Sequence, residues 1–216
     1  MSLGDYGATS AERTVHIQEG IVRNLKLALA LTVLCAGALS AQVKPGANPN
    51  PRQGFWIGFG LGGGSAAIDC PSCDTQRFTG ASGYLRLGGT LSQRVLLGVE
   101  TNGWVHSESG VDETMGFGTL ALLWYPSATG AFYLKVGLGG MSYSGKGGGD
   151  EITATAAAGS FGLGYEFRVR RNMSVNLFLN SLASAAAKFK INGSTAPTNE
   201  DVTFNLVQLG VGLTWH

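Results

Sequence analysis

From Gly54 onward, apolar residues alternate with glycine and small polar residues in short runs. A period of two is typical of β-strands whose two faces meet different surroundings. Seven of eight such runs alternate clearly, whereas the fourth is almost continuously apolar from Leu120 to Trp124. The eight runs lie near residues 55–62, 84–91, 95–105, 114–125, 132–139, 161–167, 174–180 and 207–215. The pattern predicts an all-β fold of eight antiparallel strands.

The connections between the runs are expected to alternate in length. Short turns are predicted near 92–94, 127–130 and 169–172, and longer polar loops near 65–77, 107–113, 144–151 and 184–201. Short periplasmic turns and longer outer loops are typical of up-and-down transmembrane β-barrels. Nine of the eleven acidic residues after residue 41 fall in the long loops, so the outer rim is expected to be acidic. Such a rim is either a solvated surface or a site for divalent cations that bridge surface lipids.

Composition indicates which face of the strands meets water. Charged residues make up 13% of the chain, and 34 of the 216 residues are glycine. The non-apolar face is therefore too poor in charge to be a water-facing coat, but its small residues suit a narrow lumen. The apolar face is predicted to meet lipid, in a closed barrel without free sheet edges. A net charge of +1 argues against a nucleic-acid partner, and 44% hydrophobic residues argue against disorder.

Four charged residues lie within the predicted strands, namely Arg86, Glu100, Lys135 and Glu166, and all four fall on the inward register. A basic residue on the lipid face near mid-membrane would cost roughly 2–4 kcal/mol. With a turn centred on Gln93, Arg86 and Glu100 would face each other across a hairpin. We therefore predict a salt bridge between them, with Lys135 and Glu166 completing a lumenal charge network. This network either gates the lumen or simply fills it.

The N-terminal part of the chain is expected to direct export. Arg23 and Lys26 precede an apolar stretch at 27–39, which is followed by small residues. This organisation is typical of a cleavable signal peptide, and the stretch is shorter than the roughly 20 residues of a membrane-spanning helix. Cleavage is expected after Ala41, with Ala38 as the alternative.

Four segments are thus predicted along the chain. Residues 1–21 fit no signal peptide and are expected to be untranslated, with Val22 as the true start. Residues 22–41 form the signal peptide, residues 42–53 a proline-containing periplasmic leader, and residues 54–216 the barrel. Both ends of the barrel are expected to lie in the periplasm.

Cys70 and Cys73 lie in the first predicted long loop. In an oxidising compartment, two neighbouring cysteines suggest a disulfide bond, with free or redox-active thiols as the alternative. Two cysteines alone do not make a zinc site. The sequence predicts neither a metal site nor a cofactor.

Several segments together resemble the small outer-membrane barrels of the OmpA/OmpX type, the outer-membrane β-barrel domain family. They are residues 88–104 (GGTLSQRVLLGVETNGW), 124–126 (WYP), 162–166 (GLGYE) and 208–215, and the resemblance covers 54–216. It implies an integral protein of the bacterial outer membrane. Expected partners are outer-membrane lipid, lipopolysaccharide and an unidentified extracellular ligand.

The last run resembles the C-terminal insertion signal of such barrels. Its apolar residues Leu209, Val211 and Leu213 end in the aromatic Trp215, with His216 after it. The resemblance implies that the barrel-assembly machinery inserts the protein.

Three functions remain open from the sequence. The first is a non-enzymatic structural or surface-interaction barrel, which is favoured because eight strands enclose a space about wide enough for side chains to fill. The second is a narrow pore or carrier for ions or small apolar molecules. The third, implied by the resemblance, is a lipid A deacylase that would use His106 with Ser107, Glu108 and Ser109. Because His106 falls on the lumenal register and lacks the His-x-Ser spacing, no catalytic residue is predicted.

Overall fold

The alternating runs form long antiparallel strands in the computed structural model, which describes residues 52–70, 76–195 and 201–216. The strands are β1 (Phe55–Asp69), β2 (Gln76–Ser92), β3 (Val95–Glu108), β4 (Val111–Trp124), β5 (Phe132–Gly147), β6 (Asp150–Arg170), β7 (Met173–Ser184), β8 (Lys190–Ile191), β9 (Ser194–Thr195) and β10 (Thr203–Trp215). All of them lie in one compact unit. Within the described residues, no helix is long and apolar enough to cross a bilayer.

Eight strands close into a ring in the order β1, β2, β3, β4, β5, β6, β7 and β10, with β10 paired to β1. Each strand is antiparallel to its neighbours, so the ring confirms the predicted eight-stranded up-and-down barrel. The short strands β8 and β9 form a hairpin between β7 and β10, and Ile191 on β8 pairs with Ile152 on β6. The predicted untranslated segment, the signal peptide and nearly all of the leader lie outside the described residues.

The large apolar side chains point away from the barrel axis. Leu138 is 78% exposed and Leu61 is 72% exposed, whereas the lumenal Arg86 and Lys135 are 2% and 1% exposed. The outward position of the apolar face and the inward position of the four strand charges are therefore confirmed. The ambiguous fourth run also resolves, because Leu120 points outward and Ala121 points inward.

Three of the predicted long loops are mostly strand, which corrects the sequence-based boundaries. β1 and β2 continue to within a few residues of each other, while β3 meets β4 at Ser109-Gly110 and β5 meets β6 at Gly148-Gly149. All four turn residues have positive φ, from 53° at Ser109 to 94° at Gly149. Two positive-φ residues give a type I′ turn, whose twist matches that of the flanking strands. The predicted short turns at the other end of the barrel are confirmed in position.

The polarity of the two faces reverses along the barrel axis. We call the part next to Phe55 and Trp215 the terminal half, and the part next to Asp69 and Thr203 the distal half. In the terminal half, large apolar residues face outward and charged residues face inward. In the distal half, most outward positions are small or polar, as at Thr101, Gly118, Ser142 and Thr155, although Val105 is 50% exposed there. The distal lumen holds a buried apolar cluster that includes Trp104, Met115, Phe117, Met141, Leu182, Phe204 and Leu206. A smaller buried cluster in the terminal lumen lies beside the charges and consists of Trp56, Leu96, Ala121, Leu123, Tyr125 and Tyr133.

Candidate functional site

The lumen of the terminal half holds the charge network, and its centre is the pair Lys135 and Glu100. The ammonium of Lys135 donates a hydrogen bond to Oε1 of Glu100, and both side chains are almost completely buried. Asn102 also donates to this oxygen, over 2.8 Å. The pair joins β5 to β3, which are separated in the ring by β4, so the contact runs through the lumen.

The predicted salt bridge between Arg86 and Glu100 is wrong, although the two residues are opposed in register as predicted. Arg86 lies 3.9 Å from Oε1 of Glu166 instead. It also donates hydrogen bonds to the hydroxyls of Tyr133 at 3.2 Å and Thr214 at 3.1 Å. Register fixes which backbone positions face each other, but a long side chain in a narrow lumen can reach partners on other strands.

Glu166 accepts contacts from several elements at the terminal end of the lumen. The hydroxyl of Tyr125 donates a hydrogen bond of 3.0 Å to Oε1 of Glu166. A guanidinium nitrogen of Arg52 lies 3.6 Å from Oε2, and Nε2 of His216 lies 3.8 Å from the same oxygen. Glu166 therefore links the start of the barrel to its last strand.

Arg52 and His216 were missed as network members by sequence reasoning. Arg52 precedes the first strand, so periodicity carries no signal for it. His216 continues the inward register of Gln208, Gly212 and Thr214, which could have identified it.

Arg52 closes the terminal end of the lumen. It is 3% exposed, and its guanidinium lies 3.4 Å from the centre of the Tyr125 ring. It donates hydrogen bonds to the carbonyl oxygens of Gly130 at 2.7 Å and Ala128 at 3.2 Å. The last residues before β1 are therefore anchored across the mouth of the barrel rather than hanging free.

Polar side chains fill the middle of the lumen. The Tyr84 hydroxyl donates to Oδ1 of Asn176 over 3.0 Å, and Asn176 donates to Thr214 over 3.1 Å. Asn180 lies 3.4 Å from Gln208, which in turn donates to the carbonyl oxygen of Gly103 over 3.2 Å. These bonds connect walls that are distant in sequence by up to 105 residues.

Inward glycines make room for the large lumenal side chains. A methyl group placed on Gly60 would collide with the Tyr84 ring and would lie 2.8 Å from Phe178. A methyl group on Gly164 would collide with Tyr133. The glycine content of the inner face therefore reflects a filled lumen rather than an open one.

A loop segment covers the apolar cluster at the distal end. Ala187 and Val202 exchange two backbone hydrogen bonds of 2.8 and 3.0 Å. Phe189 packs against the rings of Phe204 and Tyr143, with centroid distances of 6.0 and 6.3 Å. Both ends of the lumen are thus occupied by side chains.

The other predicted site residues are placed as follows. Cys70 is partly buried against the distal cluster, and Cys73 lies outside the described residues, so their disulfide bond stays a prediction. Leu209 and Val211 point outward, at 65% and 52% exposed, and the insertion role of the last strand is likewise untested. Among the described contacts of His106 are Thr79 and Glu108, and neither Ser107 nor Ser109 forms a hydrogen bond with it.

The sequence matches the family described as outer membrane protein beta-barrel domain over residues 27–214, and the chain belongs to this family. Among solved structures it is similar to Neisserial surface protein A, with 12% identity, a TM-score of 0.55, and coverage of 74% of this chain and 96% of that chain. It is also similar to the attachment invasion locus protein Ail of Yersinia pestis, with 12% identity, a TM-score of 0.48, and coverage of 76% and 99% respectively. For OprG from Pseudomonas aeruginosa the values are 15% identity, a TM-score of 0.46, and coverage of 79% and 100%. No curated protein gives a significant match.

Proposed function

We propose that this protein is a non-enzymatic outer-membrane barrel whose role is structural or one of surface interaction. The observation that carries the proposal is the filling of the lumen from Arg52 at one end to Phe189 at the other. A lumen occupied by side chains at both ends and in the middle leaves no open path for ions, so the outer surface is left as the working part. Both chain ends of the barrel lie in the periplasm in this proposal, and the distal half faces the outside.

The reversal of polarity along the axis supports this arrangement. The large apolar residues of the terminal half suit contact with lipid, whereas the outward Ser, Thr and Gly residues of the distal half suit contact with water. The distal half also holds its own apolar interior, as a water-soluble barrel does. It therefore extends beyond the bilayer as a stable platform for an extracellular ligand.

The proposed partners follow from the position of each surface. Outer-membrane lipid and lipopolysaccharide surround the apolar belt. The barrel-assembly machinery recognises the last strand through Leu209, Val211, Leu213 and Trp215. Nucleic acid is not a partner in this proposal.

Export is proposed to depend on the signal peptide at 22–41, and the distal rim is proposed to carry the disulfide bond between Cys70 and Cys73. Terminal sequencing of the protein taken from the outer membrane tests the first point, because it should begin at residue 42 or 39. Alkylation with and without prior reduction tests the second, because labelling of either cysteine should require a reductant.

Single-channel recording in a planar bilayer tests the filled lumen. We expect silence from the wild-type barrel, and we expect Glu100→Ala and the exposed control Glu108→Ala to be silent as well. Steady wild-type conductance that grows with Glu100→Ala, but not with Glu108→Ala, would overturn the proposal in favour of a pore gated by the charge network.

A carrier for small apolar molecules is the second candidate. It is favoured by the apolar distal lumen, where Met115 and Met141 are side chains that adapt readily to different shapes. Quenching of Trp104 fluorescence by a brominated alkane that binds saturably would support it. Quenching that rises linearly with the alkane concentration, and to the same extent in the wild type and in Met141→Trp, would argue against it.

A further inference from the structure

A small polar pocket lies at the terminal mouth of the barrel, between the β6–β7 turn and the end of β10. Its volume is about 230 Å³. The pocket is lined by Gln53, Arg168, Arg171, Asn172, Ser174 and His216. It adjoins the terminal end of the charge network, with which it shares only His216 through the contact with Glu166, and the proposed surface role does not use it.

The strand register builds this pocket. Arg168 on β6 is opposite Ser174 on β7, and Ser174 is opposite Thr214 on β10. The register shifts between Arg168 and Arg170, as at a β-bulge. His216 donates its backbone N–H to the carbonyl oxygen of Asn172 over 3.0 Å, which holds the imidazole beside the turn.

The two arginines of the pocket form no ion pair with the described residues. Neither Arg168 nor Arg171 lies within 4 Å of a carboxylate of the described residues. The nearby Glu166 is already in contact with Arg52 and Arg86. The leader cannot supply a carboxylate either, since residues 42–51 include a lysine and no acidic residue.

His216 adds a second, independent sign of a missing ligand. Its side chain is 10% exposed, and neither ring nitrogen has a hydrogen-bond partner. Glu166 faces the ring at 3.8 Å, a distance too long for a hydrogen bond. A buried polar group without a partner costs free energy, so a ligand that accepts hydrogen bonds here would be stabilising.

We propose that this pocket binds a phosphate-type oxyanion, and that a phospholipid headgroup supplies it. Arginine presents a planar set of donors that matches phosphate oxygens, and the two arginines with His216 form a ring of donors. The outward aromatic residues at the same strand ends place the pocket near headgroup level. Tyr165 packs on Phe167 at 4.8 Å and Trp215 on Phe59 at 5.6 Å, and such aromatic belts lie at membrane–water interfaces.

Native mass spectrometry of the barrel, purified from an outer membrane into neutral detergent, tests the proposal. Phosphatidylglycerol and phosphatidylcholine are titrated onto the wild type, Arg171→Gln, Arg168→Gln and the control Arg94→Gln, which lies at the β2–β3 turn. We expect the wild type to favour phosphatidylglycerol. Each pocket variant should bind it about tenfold more weakly, since it loses a charge-assisted hydrogen bond to the phosphate. Arg94→Gln should match the wild type.

The possible outcomes distinguish a lipid headgroup from soluble phosphate as the source of the anion. They also distinguish failure of the pocket from failure of the proposed membrane position. Inorganic phosphate that binds in place of any lipid, and is lost in the same variants, would support the site with a soluble phosphate as its ligand. Equal binding of phosphatidylglycerol by the wild type and both pocket variants would overturn the proposal. Because the inference rests on the proposed position in the membrane, failure to co-purify with any outer-membrane lipid would instead contradict that position. Arg171 lies in an exposed turn, so its variant is expected to fold.

Discussion

The terminal and distal halves share the same strands and the same alternation, yet they are stabilised in opposite ways. In the terminal half, the outer face is apolar, and buried ion pairs lie inside beside the small cluster around Trp56 and Tyr133. In the distal half, apolar side chains such as Phe204 are buried inside, and Ser142 and Thr155 face outward. A strand therefore does not carry one polarity along its length. In the proposed position, hydrocarbon surrounds the terminal half and water surrounds the distal half, and this difference accounts for the change of outward polarity.

The largest effect is expected from breaking the ion pair in the terminal lumen. Glu100→Ala leaves the buried ammonium of Lys135 without its partner, and removing one member of a buried pair typically costs about 3–5 kcal/mol. Urea unfolding in lipid vesicles measures the free energy of unfolding. Replacing both residues together, by Glu100→Met with Lys135→Met, should restore much of the loss. A double variant as unstable as the single one would mean that the pair is not isolated from the rest of the lumen.

A similar loss is expected from the core of the distal half. Phe204 is fully buried, and truncating a buried phenylalanine typically costs about 3–5 kcal/mol. Phe59→Ala in the terminal half is the matched control, because Phe59 is 44% exposed and its outward position meets lipid. The same unfolding measurement should give a clearly smaller loss for Phe59→Ala. Equal losses would show that the distal interior does not behave as an apolar core.

Sequence periodicity was sufficient for the ring and for the direction of the side chains in seven of the eight predicted runs. It was insufficient for the length of the strands, because the reversal of polarity occurs without any change of phase. In β4, Met115 and Phe117 are apolar on the inward register, while Leu120 and Trp124 are apolar on the outward register. Apolar residues therefore occur on both registers of this strand, and no single alternation is visible. This explains why the fourth run is ambiguous. The Ser- and Gly-rich ends of β3 and β5 were assigned to loops for the same reason.

The sequence predicted four members of the candidate site, but neither Arg52 and His216 nor the contacts between the members. The four charged residues were found because a charge on the lipid face is costly, which restricts them to one register. Their partners depend on side-chain reach across the lumen, as Arg86 demonstrates by contacting Glu166 rather than Glu100. Arg52 precedes the first strand and lies outside the alternating pattern, so periodicity could not identify it.

An intermediate effect is expected from a charge on the outer face, and it depends on the half. Leu138 and Ser142 both point outward on β5. An arginine on the lipid face near mid-membrane costs roughly 2–4 kcal/mol, falling towards zero at the interface. Leu138→Arg should therefore destabilise the barrel in vesicles by this amount, while Ser142→Arg should change the free energy of unfolding little. Equal destabilisation by both would place Ser142 in the bilayer and remove the proposed boundary between the halves.

The smallest effect is expected from the distal counterpart of the lumenal ion pair. Lys146 and Glu151 lie 3.2 Å apart on the β5–β6 hairpin, but their side chains are 64% and 48% exposed. Exposed pairs contribute about 0–1 kcal/mol and are screened by salt. A double-mutant cycle with Lys146→Ala and Glu151→Ala should give a coupling energy in this range that falls on going from low to high salt. The lumenal pair of the same residue types, measured by the same cycle, should show a larger coupling that salt leaves nearly unchanged. Similar coupling and similar salt dependence at both sites would mean that water reaches the terminal lumen, which the filling by Arg52 and Tyr125 argues against.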